Sequence, residues 1–363
     1  MVNCLFYLLC ILLFSLCGGY AERKIAAFIQ DRLGPTEVGY RGVGQSLADL
    51  LKLLQKENIV PTAANKVLFV LAPVWIFVVV FAAFAVLPVT NAWRGAPTAI
   101  GALYLLAMTS LEGIGLFAAG WAANNKYTRL GAMRSLLQFI AYEVPLVLSV
   151  LSVLIVSQTL DLQAIAAQQG PGAHVGSSIP TYFMGIKGIN VAHWGGVLAW
   201  NIVRMPPLCL AYVIFFLTSL AACHRAPFDL PEAESELIGG YHTEYSGLRW
   251  AWLMLSEYSM LLLMSLLGVV LFLGGWHTPL PNFPGLPLGS WTSGVSGTLA
   301  GHLWSGYWLF SKAILVILAK MVIRWTLPRL RFDQVIRLCW QYLTPAALLL
   351  FLTTLWWQLL ILG

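Results

Sequence analysis

The chain has 363 residues, 59% of them hydrophobic and only 10% charged, with a net charge of +6. A soluble domain carries about 25% charged residues, so lipid replaces water as the main solvent of this chain. The positive balance then reports sidedness rather than a nucleic-acid footprint, and no nucleic-acid partner is expected.

Runs of about 20 apolar residues predict eight membrane spans, at 2–20, 67–89, 97–123, 136–158, 194–223, 250–276, 304–325 and 338–362. The first run has no basic residue ahead of it and is long enough to span. It reads as a retained helix, not a cleaved signal peptide. The connectors 22–66, 124–134, 223–249 and 324–337 hold sixteen of the 21 Lys and Arg residues. The positive-inside rule places these connectors in the cytoplasm and both termini on the outer face, as an even number of spans requires.

Connector 22–66 contains the turn signals Gly34-Pro35, Gly39, Gly42 and Gly44. Residues 45–55 follow, with Leu47, Leu50, Leu51 and Leu54 at helical spacing, an amphipathic interfacial helix with Asp49 on its polar side. Stretches 168–190 and 277–295 are rich in Gly, Pro and Ser and read as outer connections. His174, His193, His277 and His302 have no metal-ligand spacing. The six cysteines show no CxxC pair, so no iron–sulfur, zinc or disulfide framework is expected.

The chemistry is expected in the carboxylates. Six of the fifteen (Asp229, Glu232, Glu234, Glu236, Glu244 and Glu257) fall between Arg225 and Glu257. Pro231 suits the first turn of a helix on which Asp229, Glu232 and Glu236 would share a face. Glu143 and Glu257 lie inside spans at a depth of about 12–14 Å, and Glu112 at about 18 Å. Each such burial costs about 2.5–3.5 kcal/mol, which favours a proton or charge relay over a solvated loop. Arginines cluster at the same helix ends, and Lys312 and Lys320 lie within the seventh span.

Several strings then carry a resemblance. They are Glu22-Arg23-Lys24, Gln30 to Pro35, Leu47-Ala48-Asp49, Lys56-Glu57, Gly120-Trp121 with Asn125-Lys126-Tyr127, and Tyr142-Glu143-Val144. Further ones are Arg225 to Leu237, His242 to Gly247 with Glu257-Tyr258, and Arg324 with Pro328 to Gln334. In this order they resemble the H-type subunits of the proton-pumping NADH:quinone oxidoreductases (respiratory complex I), the bacterial counterparts of mitochondrial NADH dehydrogenase subunit 1. The resemblance implies an all-α, eight-helix polytopic membrane protein, a single membrane domain over 1–363, in the inner membrane of a bacterium. Quinone would be the substrate, with no cofactor on this chain and with FMN and iron–sulfur clusters on partner subunits. Those partners would be hydrophilic-arm subunits on the cytoplasmic face and small and antiporter-like subunits in the membrane.

Position by position, the resemblance assigns Arg23, Phe28, Arg32, Arg225, Phe228, Arg324 and Arg329 to the quinone passage. Glu143, Asp229, Glu232, Glu234, Glu236, Glu244 and Glu257 go to the acidic relay, with Asp49 at the margin of both sets. The rival readings are a homologous membrane component of a hydrogenase or of a ferredoxin- or deazaflavin-linked oxidoreductase, and a stand-alone ion transporter.

Overall fold

The structure, a computed structural model, describes residues 2–91, 93–170, 183–186, 194–231, 234–282, 288–294 and 297–362. The described α-helices are α1 (Val2–Ile29), α2 (Gln45–Gln55), α3 (Lys66–Phe84), α4 (Gly101–Ala122) and α5 (Lys126–Ser157). Next come α6 (Leu162–Ala167), α7 (Asn201–Arg204), α8 (Pro206–Ala222), α9 (Glu234–Leu237) and α10 (Gly247–Phe272). The last four are α11 (Leu288–Ser293), α12 (Leu299–Thr326), α13 (Phe332–Arg337) and α14 (Thr344–Leu362). A π-helical turn, Leu338–Leu343, joins α13 to α14.

Among the described residues seven helical stretches are long and apolar enough to cross a membrane: α1, α3, α4, α5, α10, α12 and the joined α13–α14. The chain is a multi-pass membrane protein. An eighth apolar helix, α8, has 17 residues. That is about 26 Å of helix, slightly less than the hydrocarbon core of a typical bilayer.

Several boundaries differ from the sequence expectation. The first helix continues past Tyr20 to Ile29, so Glu22, Arg23 and Phe28 are helical rather than part of a loop. With 28 residues it is about 42 Å long and carries its charged end beyond the apolar layer. The fourth expected span begins at Lys126 because Asn125 caps it: its Oδ1 accepts from Tyr127 N–H, and Thr128 completes a capping box. The fifth expected span is shortened at its start. Gly195 and Gly196 have positive φ, and Pro206 and Pro207 lack the N–H groups that a continuing helix would need. They open α8 instead, at its first two positions.

The helix α10 is the axis of the bundle, packing against α1, α3, α8 and α12. Pairs α3–α4, α4–α5, α5–α8 and α5–α14 complete it. Contacts at one end tie Asn3 to the Arg94 carbonyl, Arg94 to Asp161, Asn201 to the Leu271 carbonyl and Lys312 to the His277 carbonyl. Trp357 reaches the Gly185 carbonyl. The opposite end gathers residues 30–65, 123–125, 223–231, 234–246 and 327–331. There Asn124 Nδ2 donates to the Ala63 carbonyl, Ser246 Oγ to the Glu57 carbonyl, and Leu330 N–H to the Pro227 carbonyl. Most of the titratable residues proposed from the sequence that the structure describes lie toward this second end, while Glu112 and Glu143 sit midway along α4 and α5.

Segment 223–246 is held down by close backbone approach as well as by polar contacts. A Cβ at Gly131 on α5 would lie 2.8 Å from Tyr241 N and 3.0 Å from Gly240 C, neither of which can yield easily. Gly131→Ala is therefore expected to cost about 1–3 kcal/mol and to raise hydrogen exchange in 240–245, read by mass spectrometry of the detergent-solubilised protein.

Candidate functional site

The centre of the charged end is a buried knot made by four separate parts of the chain. Glu22 from α1 is 5% exposed and Arg225, just past α8, 4%. Arg225 Nη1 donates to Glu22 Oε1 at 2.5 Å, and its Nε lies 2.8 Å from Glu257 Oε1 on α10. Arg324 of α12 donates to the same Glu22 oxygen. Tyr258 Oη donates to Glu22 Oε2 at 2.8 Å, and its ring lies under the Arg225 guanidinium at 4.8 Å.

Two carboxylates and two guanidiniums therefore balance, with Glu22 and Arg225 buried, Arg324 partly exposed at the rim and most polar atoms partnered. Burial alone would pull the Arg225 guanidinium down, but Glu257 and Glu22 hold it well above its ordinary range. It is a permanent cation.

A file of carboxylates leads from the knot into the apolar bundle. Buried Glu112 on α4 is within electrostatic reach of Glu257 and of Tyr142, and Tyr142 is within reach of Glu143 on α5. Glu143 accepts a hydrogen bond from Ser110 on α4. A small cavity beside it is lined by Thr109, Phe139, Tyr142, Met260 and Met264.

The remaining relay candidates lie at the surface end. Glu236 pairs with Arg134 at 2.5 Å, and that hydrogen bond and charge hold its carboxyl below the usual range. Glu244 accepts from Asn125 Nδ2 at 2.6 Å, tying the acidic segment to the cap of α5. Asp49 on α2 pairs with Arg23 on α1 at 2.5 Å. The Asp229 carbonyl accepts from Arg329. Glu232 lies outside the described residues, as do His174, His193 and the side chain of Glu234. The helix in this stretch is the single turn α9, so Asp229 and Glu236 do not share a helical face: residues 229 and 230 carry no regular secondary structure and Pro231 sits in a turn.

The quinone-side candidates divide in two. Phe28 is 88% exposed at the end of α1, Arg32 is exposed beside Gln30, and the leucines Leu47, Leu50, Leu51 and Leu54 of α2 are exposed as well. Arg225, Phe228 and Arg324 instead belong to the interior or its rim. Phe228 is fully buried in the main core, and its carbonyl accepts from Gln138 at 2.8 Å. Glu22, Tyr258, Tyr142 and Ser110 join the site although the sequence alone assigns them no role. Glu22 nevertheless carries a signal: it is the first charged residue of the chain, and apolar helix resumes beyond it at Ala26 to Phe28.

Residues 2–355 match the sequence model of the family described as NADH dehydrogenase. The chain is 52% identical over 355 residues to the second H-type subunit of NADH-quinone oxidoreductase from Cytophaga hutchinsonii, covering 97% of each chain. It is 45% identical over 341 residues to the H-type subunit of NADH-quinone oxidoreductase from Chlorobaculum tepidum, covering 94% of this chain and 87% of that one. It is 41% identical over 350 residues to the corresponding protein of a Geobacillus species, covering 96% and 91%.

Two expectations follow from the geometry. Glu22→Ala leaves two guanidiniums without their shared carboxylate and is expected to destabilise the fold by about 3–5 kcal/mol. Glu236→Gln, at an exposed pair, is expected to cost no more than about 1 kcal/mol. Thermal unfolding of the purified complex would rank them. The second concerns pH. Burial pushes the imidazoles of His224 and His242 down to about 4 from an ordinary 6.5. The unfolded segment then binds more protons than the folded one between those values, so its stability is intact above pH 6.5 and declines as pH falls toward 4. Hydrogen exchange across 223–246 should rise on acidification in this window, and a His224→Asn/His242→Asn double variant should lose most of that slope.

Proposed function

The chain belongs to the family of H-type subunits of NADH-quinone oxidoreductases, and on that premise we propose that it couples quinone reduction to proton movement through its buried carboxylates. It is a membrane component of that enzyme and works with the other subunits of respiratory complex I. The rest of the proposal concerns where its substrate sits and how charge leaves the site.

Quinone enters from the bilayer along the exposed end of α1 and the leucine side of α2. Phe28 and the α2 leucines supply an apolar surface suited to an isoprenoid tail. Arg23, Arg32 and Asp49 border it with charge, and Arg225, Phe228, Arg324 and Arg329 form the wall behind. Quinone takes up two electrons and two protons to become quinol. The electrons come from partner subunits carrying FMN and iron–sulfur clusters, docked on the face built by residues 30–65, 223–246 and 327–333. This chain supplies no cofactor.

The proton demand is met through the knot and the file. When a proton leaves the Glu257 side of the knot, Glu112, Tyr142 and Glu143 rearrange in turn, as groups that titrate together. Glu236, Glu244 and Asp229 connect the file to the cytoplasmic surface, and the family resemblance assigns Glu232 and Glu234 to the same relay. Small and antiporter-like membrane subunits receive the change beyond Glu143. Helix α8 makes the eighth crossing, which puts both termini outside and the charged connectors in the cytoplasm of a bacterial inner membrane.

The observation that supports this reading best is the continuity from Arg225 through Glu257 and Glu112 to Glu143, inside a bundle that is mostly apolar. Ionisable groups at such depth are rare and cluster on ion pathways. The test uses the whole complex in proteoliposomes. Glu257→Gln and Glu143→Gln are expected to assemble and to lower coupled NADH:quinone reductase activity on the order of 10²-fold, with proton pumping falling in step. Normal pumping and turnover in both variants would reject the relay.

A further inference from the structure

The helix α12 carries two buried lysines, and the structure treats them differently. Lys312 Nζ donates to the carbonyls of Leu273 at 2.7 Å and His277 at 2.9 Å, and lies 4.7 Å over the Trp200 ring. Its charge is held by carbonyl dipoles and an aromatic face. Lys320 is 1% exposed, more deeply enclosed than Lys312, and its Nζ has no hydrogen-bond partner among the described residues. The ion pairs of the knot beside it are made by Arg225 and Arg324 and do not include it.

An amine in such a place needs an explanation. A fixed ammonium in a bundle interior is costly unless it is paired, and a purely structural position would be better filled by an apolar side chain of equal length. Lys320 also lies close to the relay. It is one turn before Arg324, which holds Glu22. It is within electrostatic reach of the Cys223 thiol, and that thiol is within reach of Arg225, Glu112 and Glu257. Of the elements packed on α12, α10 brings Glu257 and Tyr258 to this level and α1 brings Glu22, while α11 carries no titratable group. Glu22, Arg225, Arg324, Glu257 and Tyr258 are committed to one another, whereas Glu112 is in none of these pairs. Lys320 is the cationic group beside them whose nitrogen has no hydrogen-bond partner among the described residues.

We propose that Lys320 is a proton-holding residue of the relay, taking up and returning a proton as the carboxylates around Cys223 change partners. The inference rests on the relay reading above. The step balances as a proton transfer alone. A carboxyl of Glu112 becomes a carboxylate as the Lys320 amine becomes an ammonium, and the return reverses both; no electron moves. The ammonium and the carboxylate form and disappear together, so the net charge of the interior does not change.

Lysine can give up its proton whereas arginine cannot, which separates a proton holder from a fixed charge. The experiment compares Lys320→Met, close in length but without the amine, and Lys320→Arg, in the intact complex in proteoliposomes. Assembly is read from complex content and from NADH oxidation by a soluble acceptor that bypasses quinone. Both variants are expected to assemble, to lose about tenfold in quinone-coupled pumping, less than a donor in direct contact with substrate, and to lose one limb of the pH–rate profile. Either variant alone carries the test if the other does not assemble. Wild-type pumping and pH profile in the Met variant would overturn the proposal, as would full rescue by Arg, which would show a fixed charge. Failure of both to assemble would identify a structural lysine and overturn it too. Loss of pumping in Glu143→Gln and Glu257→Gln with normal Lys320 variants would remove this inference and leave the relay standing.

Discussion

The structure depends on one constraint: a charge inside an apolar bundle must find its partner there, because water does not come in to help. Glu22 shows how far this reaches. Its two oxygens hold Arg225, Arg324 and Tyr258, so α1 must run beyond the apolar layer, segment 223–246 must fold back under the bundle, and α12 must end at the right height. Breaking one member leaves an uncompensated ion, which is far more costly than never having built the group. The knot therefore fixes the relative positions of α1, α8, α10 and α12 more firmly than apolar packing alone.

The same constraint separates the carboxylates into kinds. Asp49, Glu236 and Asp161 are matched with arginines near water, where pairing is cheap and adds little. Glu22 and Glu257 are matched with arginines away from water. Glu112 and Glu143 have no cation at hydrogen-bond distance among the described residues, and Glu143 has a serine hydroxyl instead. Moving from the charged end inward, countercharge thins out while the carboxylates continue. Such a gradient suits transfer: groups at one end stay ionised, and groups at the other can change state without a guanidinium holding them.

Much of this is legible in the sequence. The apolar runs mark the helices, and α2 matches the stretch expected from its leucine spacing. Asn65 caps α3 where the first charged connector ends, and Asn125 caps α5 at the start of the second, most of which is therefore helical. The fold depends on tertiary context at three places. Nothing local in 2–29 says that helix should absorb a Glu-Arg-Lys triplet; the partners that permit it lie more than two hundred residues away. Pro206-Pro207 sits inside an apolar run and so reads as interior to a span, although both prolines fit the first turn of a helix better. The acidic segment reads as one long helix face because Pro231 and the i, i+3, i+7 spacing allow it. Its backbone is instead pulled into turns by Gln138, Leu330 and Arg329 from other elements. For the site, the acids are legible because carboxylates are scarce in this chain. Tyr142, Tyr258 and Ser110 are not, since a hydroxyl on an apolar helix acquires meaning only from what faces it.

The knot also has an order of construction. Glu22 and Arg324 are separated by 302 positions, so at ordinary ribosomal speed the acid emerges about 15–60 s before its last partner. During that interval Glu22 and Arg225 can pair, but the second guanidinium is missing and α12 has not been laid beside α1. Until α12 is made, the Glu22 and Glu257 carboxylates have only the Arg225 guanidinium to share. Completion of the bundle is signalled electrically: the chain reaches charge balance at its centre only when nearly all of it has been synthesised.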